Sequence, residues 1–327
     1  MPPAEFLDCE LYLTDYNQAR LSVAGRDYSG RPALDDALQQ RLLGADLDPK
    51  QYGSLLFESL FPGEEDNLLA GYRDGLAIAR HEEKRLRLRL HIADTADRRL
   101  HDFYWEYLYD PKQRLALGRS RETTLSRYLS VSFEPRRDSA ERPLRLLVVI
   151  PSPSDLAEYR LPSIDPDRVR EAIGKALDPQ RHQVTYRFFT GPVTPGRLQD
   201  RLVTGRFQAL HIHTHGLIHG TKPATVVLEK SDRRTQFVEA EDFSGIFGGD
   251  RELRLVTFVA CHSGIQTRDD PFSGLAQAIV RRGVPAVVAM RRAISVDAAT
   301  HFTEHFYRNL SHCGQVDAAI NEARSQM

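Results

Sequence analysis

Leu144–Ile150 is a continuous apolar run broken only by Arg145. A strand that is apolar at every position has to be buried on both faces, and such strands belong to parallel sheets sandwiched between helices. The pattern downstream agrees. Helical periodicity over Asp167–Leu177, Pro195–Leu202, Phe272–Arg281, Val296–Leu310 and Val316–Arg324 alternates with strand-like runs at Gln183–Phe189, Phe207–His213, Leu253–Ala260 and Pro285–Met290. Thr225–Glu229 reads as a short extra strand and Ala240–Ile246 as a short helix. Strand–helix alternation of this kind predicts an α/β domain with a mainly parallel sheet and helices on both faces.

The pattern begins just after Glu134–Pro143, a polar stretch with two prolines and no periodicity, which reads as a linker. The chain therefore divides into an N-terminal unit at 1–133 and a second unit at 144–327. The first has a mixed character: a hairpin at Glu10–Leu13 and Arg20–Val23, helices at Ala33–Leu43, Gly53–Leu60 and Leu68–Arg80, and a period-2 strand at Leu86–Ile92. The aromatic run Phe103–Tyr109 supplies its core. This is a smaller α+β unit.

Composition narrows the function classes. Of the 327 residues, 41% are apolar and 27% charged, as in a folded globular protein. No apolar run approaches the ~20 residues of a membrane span, and Met1–Glu5 lacks the features of a signal peptide. The net charge of −1 gives no pull toward nucleic acid. A cytoplasmic protein with reduced thiols is expected, without a nucleic-acid or membrane partner. Cys9, Cys261 and Cys313 are too few and scattered for a disulfide framework or a cysteine zinc site.

In open α/β sheets, sites form at the carboxyl ends of strands. Two strand ends carry reactive side chains: His211–Gly216 after the third strand and Val259–Gly264 after the fourth. Neighbouring parallel strands would bring His215 and Cys261 to one crevice. An imidazole near sulfur favours the thiolate, which is the nucleophile. The N–H groups of Gly216 and Cys261 could then receive a developing oxyanion. The residues alone also allow a structural cysteine, since buried free cysteine is common. A metal site is a further alternative. His211, His213 and His215 alternate and so share a strand face, with His219 following, but no Asp or Glu lies between Phe207 and Leu228. The plainer reading of His211 and His213 is packing or hydrogen bonding within the site. Cys9 and Cys313 read as structural.

At these motifs the sequence resembles the CHAT proteins, caspase-like cysteine peptidases related to caspases, metacaspases and separase. His215-Gly216 matches that family's His-Gly, and Ala260-Cys261-His262-Ser263-Gly264 its nucleophile turn. Pro271–Met290, Phe306–Leu310 and Val316–Arg324 look typical of it, as do Tyr52–Phe57, Leu86–Leu90 and Trp105–Tyr109 in the N-terminal half. The resemblance implies a caspase-like fold and peptide-bond cleavage through a thioester on Cys261. His215 would be general base and acid, and no cofactor or metal is expected. Implied partners are a protein substrate and an activating sensor or repeat protein, such as accompanies these domains in bacteria. A catalytically silent caspase-like scaffold is the alternative from another class, and a His-rich metal-dependent hydrolase a third.

The sequence departs from the family after the fifth strand. Where many members read Gln-Phe-Pro-Ile-Ser-Asp, this chain has Arg291-Arg292-Ala293-Ile294-Ser295-Val296, with Asp297 one place later. In caspase-like folds this loop helps line the primary specificity pocket. Asp297 would suit a basic P1 residue, and Arg291 or Arg292 an acidic one. Asp297 could instead cap the helix that follows.

Overall fold

The computed structural model describes residues 5–45, 48–63, 65–93, 96, 98–129, 142–217, 224–248, 252–259, 273–291 and 294–327. The predicted linker at 134–143 lies outside them except for Arg142 and Pro143. Two compact units emerge, one comprising Met1–Ser130 with Gln315–Gln326 and the other Val131–Gly314 with Met327. The segment Gln315–Gln326, assigned from sequence to the second unit, thus belongs to the first.

The first unit is built on a five-stranded sheet. Strands β1 (Phe6–Asp15), β2 (Gln18–Val23) and β3 (Arg26–Gly30) form an antiparallel meander, longer than the predicted hairpin by one strand. Three helices follow: α1 (Asp36–Ala45), α2 (Pro49–Leu60) and α3 (Asn67–His81). Asp48 and Asp66 cap α2 and α3 by accepting backbone N–H bonds at their first turns. Strand β4 (Arg85–Ile92) pairs in parallel with β1 on one side and, on the other, with β7 (Thr123–Tyr128), after the two-residue pair β5 (Tyr109–Asp110) and β6 (Leu115–Ala116).

The period-2 pattern of β4 divides its residues between two environments. Leu86, Leu88, Leu90 and Ile92 enter the core with Tyr72, Trp105 and Leu125. On the opposite face Arg85 meets Glu322 at 2.8 Å, Arg87 meets Asp317 at 2.9 Å, and Arg89 meets Glu10 at 2.9 Å. Asp317 and Glu322 lie on the helix Val316–Ser325, which packs on β7. The aromatic run is core as expected. Trp105 is fully buried, and its Nε1–H donates to the Leu100 carbonyl.

The second unit contains a five-stranded sheet in which every strand pairing is parallel. Its strands are β8 (Leu144–Val149), β9 (Val184–Phe188), β10 (Ala209–His213), β14 (Leu255–Val259) and β15 (Ala286–Ala289), in the order β15-β14-β10-β8-β9. The central strand β10 and its neighbour β14 are buried at every position, and β8 on the other side is buried over Leu146–Val149. Helices α5 (Pro195–Gly205), α6 (Ala240–Gly245) and α7 (Ser273–Arg281) share one core with Leu147, Val149, Leu210, Ile212, Val256 and Phe258. Helices α4 (Pro166–Leu177) and α8 (Val296–Cys313) pack on each other, and Tyr307 of α8 reaches Thr257 of β14. This is the α/β sandwich of a caspase-like fold.

A small antiparallel sheet stands after β10. It consists of β11 (Gly216–Leu217), β12 (Thr225–Glu229) and β13 (Thr235–Glu239), the last not predicted. The chain ends in α9 (Val316–Ser325), the helix described above. Among the described residues no helix is long and apolar enough to cross a membrane.

Candidate active site

Parallel strands deliver their following residues to the same end of the sheet. Within the sheet His213, the last residue of β10, pairs with Val259, the last residue of β14. The Thr214 N–H, one step on, still donates to the Val259 carbonyl at 3.1 Å. His215 follows immediately. The nucleophile turn Ala260–Gly264, with Cys261, lies outside the described residues.

His215 is 1% exposed and is held at both ends. Its backbone carbonyl accepts from the Val227 N–H of β12 at 3.0 Å, and Thr214 Oγ1 donates to the Val227 carbonyl at 2.6 Å. Its ring Nε2 is 2.9 Å from the Pro162 carbonyl oxygen. A carbonyl can only accept, so Nε2 carries the proton and Nδ1 is the lone-pair nitrogen. Nδ1 is buried and, among the described residues, has no hydrogen-bond partner. Burial pushes the His215 pKa below its ordinary value, while the bond to Pro162 acts the other way, because a carbonyl favours the protonated ring. The arrangement therefore supplies a neutral imidazole with an open basic nitrogen and a carbonyl ready to stabilise the imidazolium.

Gly216 stands opposite Val226 in the β11–β12 pairing. The bond from Val227 N–H to His215 O makes this a non-hydrogen-bonded pair, so the N–H of Gly216 points away from β12.

His211 and His213 are buried in β10, as the packing alternative expects. His211 Nδ1 lies 3.3 Å from Tyr307 Oη, and that hydroxyl donates to Thr257 Oγ1 at 3.4 Å. Burial first, and then a neighbouring histidine, pushes His211 down to about 3 and His213 down to about 4, so both are neutral near pH 7. The regular strand ends at His213, so His215 lies beyond the face that His211 and His213 share. Among the described residues no group of three or more His, Cys, Asp or Glu side chains could hold a metal ion. His219 lies outside the described residues.

The segment 151–165 that carries Pro162 was not singled out from sequence, because a backbone carbonyl has no side-chain signature. Two acidic side chains beside it were also missed. Asp155 and Glu229 are 8% and 2% exposed, and both accept backbone hydrogen bonds.

Of the residues expected to set specificity, Arg291 and Asp297 are described. Arg291 is half-buried, Asp297 is exposed in the first turn of α8, and Arg292 lies outside the described residues. Asp297 does not cap that helix. Ser295 does, its hydroxyl accepting from the Ala298 N–H at 3.1 Å, because the helix begins two residues earlier than the capping alternative requires. Cys9 is fully buried. Desolvation, aided by Glu10 and Asp8, pushes its thiol up to about 12, which leaves it unreactive. Cys313 is half-buried at the end of α8.

No curated protein matches the chain. A family model described as CHAT domain matches residues 50–327, most of both units. With the parallel sheet and the strand-end histidine, that match shows that the chain belongs to the CHAT domain family.

Proposed function

We propose that the protein is a caspase-like cysteine endopeptidase with Cys261 as nucleophile and His215 as general base and acid. The observation that carries this reading is the His215 imidazole itself. It sits just past β10 with Nε2–H bound to Pro162 and a basic Nδ1 that no described residue occupies. The β10–β14 register supports a dyad, since each residue of it follows its strand's last residue by two positions and those last residues are paired.

In this mechanism the Cys261 Sγ proton passes to His215 Nδ1 and the thiolate attacks the scissile carbonyl carbon. The oxyanion is received by the N–H groups of Gly216 and Cys261. Collapse breaks the C–N bond, and the leaving amine takes the proton from Nδ1. Water then adds to the thioester, gives its proton to Nδ1, and releases the acid as the thiol re-forms.

The burial of His215 is consistent with control by a sensor or repeat-protein partner, because the leaving amine must reach an imidazole that is 1% exposed. For the P1 pocket, Asp297 is proposed as the anion for a basic side chain. Its carboxylate is exposed in the first turn of α8 and is not used as a cap. The alternative assigns Arg291 or Arg292 to an acidic P1 residue.

The test is incubation of the purified protein with a diverse peptide library, mapping of cleaved bonds, and repetition with Cys261→Ala. Cleavage that disappears in the variant is the expected result. No cleavage by either protein, with or without candidate partners, favours the silent scaffold. Cleavage retained in Cys261→Ala overturns the thiol mechanism.

A further inference from the structure

The Pro162 carbonyl can direct His215 only if segment 151–165 is itself held in place, and two nearly buried carboxylates hold it. Asp155 Oδ1 accepts from the Thr235 N–H at 2.7 Å and from the Thr235 hydroxyl at 2.6 Å, and Oδ2 accepts from Arg234 Nε at 3.1 Å. These bonds tie the segment to β13. Glu229, at the end of β12, uses Oε1 to accept from Ser152 N–H at 3.1 Å and Oε2 to accept from Val193 N–H at 2.5 Å. It thereby joins the segments that follow β8 and β9. Ser152 Oγ donates to the Ile164 carbonyl at 2.9 Å, which closes the segment beside Pro162. Leu156 and Leu161 pack on Val227, the residue whose N–H binds the His215 carbonyl.

A closed circuit results. From the His215 ring it passes to Pro162, along the segment to Asp155, across to Thr235, over the β13–β12 pairing to Val227, and back to the His215 backbone. Charge-assisted bonds to backbone N–H groups are stronger than neutral ones, and at low exposure they are little weakened by water.

We infer that Asp155 and Glu229 are positioning residues for His215: by fixing segment 151–165 on the β12–β13 hairpin they keep the Pro162 carbonyl against Nε2 and so determine that Nδ1 is the nitrogen left to take a proton. The catalytic consequence rests on the proposed role of His215 as base, whereas the geometric consequence does not.

The experiment reads the two separately. In the full chain with 15N-labelled histidine, the His215 ring signals are assigned by their loss in His215→Gln. Wild-type protein is expected to show only the Nε2–H tautomer. Asp155→Ala and Glu229→Ala are expected to show both tautomers, and kcat on a peptide chosen from the library should fall about 10- to 100-fold, with KM changed much less. Asp155→Asn retains an oxygen that can accept from Thr235 and is expected to restore the single tautomer. If the alanine variants do not fold, Thr235→Val removes one anchoring hydroxyl at nearly constant volume, and Glu229→Gln can satisfy only one of its two N–H donors. Either is then expected to mix the tautomers. An unchanged single tautomer in the folded variants overturns the inference. Mixed tautomers in a protein that cleaves no peptide sustain the positioning role and count against the peptidase reading instead.

Discussion

The imidazole of His215 and the carbonyl of Pro162 are 2.9 Å apart although 53 residues separate them in the chain. Because the partner is a main-chain group, changing its side chain leaves it in place. Pro162→Ala keeps the carbonyl and is expected to alter peptide cleavage by less than about threefold. Its stability cost should be about 0.4–1 kcal/mol, from the added freedom of the unfolded chain. Kinetics and urea unfolding of the same variant check both. A large loss of activity in a protein of nearly normal stability would mean that the proline ring itself has a role.

Stability should depend on pH through the buried histidines. An unfolded histidine titrates near pH 6.5, but His211 and His213 in the fold are pushed down to about 3 and about 4. Between these values the unfolded chain binds more protons, so stability is complete above about pH 6.5 and falls as pH drops toward 4. The slope expected is about 1.4 kcal/mol per pH unit for each histidine. Urea midpoints at pH 7 and pH 5 measure it, and His211→Phe should remove about half of that slope. The same midpoint at both values in wild-type protein would contradict the burial of two neutral rings.

The carboxylates act at lower pH. Burial alone would raise the Glu10 carboxyl, but bonds from His91 and Arg89 hold it below its usual range. Hydrogen bonds from Thr235 hold Asp155 down likewise. Groups with lowered carboxyl values contribute stability above about pH 4, where the unfolded carboxyls are ionised, and lose it as pH falls through the folded values. A second decline in stability is therefore expected below about pH 4, and Glu10→Gln should lessen it.

Two glycines should respond in opposite directions. A Cβ on Gly53 would lie 1.8 Å from the Tyr107 carbonyl oxygen, whereas one on Gly44 in α1 would meet nothing within 4 Å. Gly53→Ala should cost at least about 1–3 kcal/mol through overpacking. Gly44→Ala should stabilise by roughly 0.5–1 kcal/mol. Thermal unfolding of the two variants side by side makes the comparison.

Capping and specificity can be separated at α8. Ser295→Ala should cost about 1 kcal/mol of stability, since it removes the acceptor for Ala298 N–H. Asp297→Asn should leave stability nearly unchanged and lower cleavage after Arg or Lys selectively. A library profile dominated by Asp at P1 would remove Asp297 from the pocket.

The parts of the fold that were legible in the sequence are those whose burial is written in side chains. An apolar run broken only by Arg145 marked β8, and the alternation in β4 separated its core leucines from its arginines. Strand β13 was not legible because its strand formers Thr235, Phe237 and Val238 are too few to stand out beside Gln236 and Glu239, and pairing with β12 makes the strand. The helix Val316–Ser325 was visible as a helix, but its partner was not, since the pattern of a helix does not name the surface it covers. In the candidate site His215 stood out by its chemistry. Pro162 contributes a carbonyl that every residue has, and Asp155 and Glu229 resemble any surface acids until their burial is seen.

The placement of α9 bears on how the protein is made. Gln315 pairs with Arg87 across 228 residues of sequence, and Asn321 donates to the carbonyls of Ser120 and Thr123. A ribosome must therefore synthesise the entire second unit before the first can bury these groups. Arg85 and Arg87 remain without their helix partners during that interval, so the first unit is completed only after residues 131–314 have been made. Packing of Asn321 on the strand β7 side of the first unit is therefore a step that follows synthesis of residues 131–314.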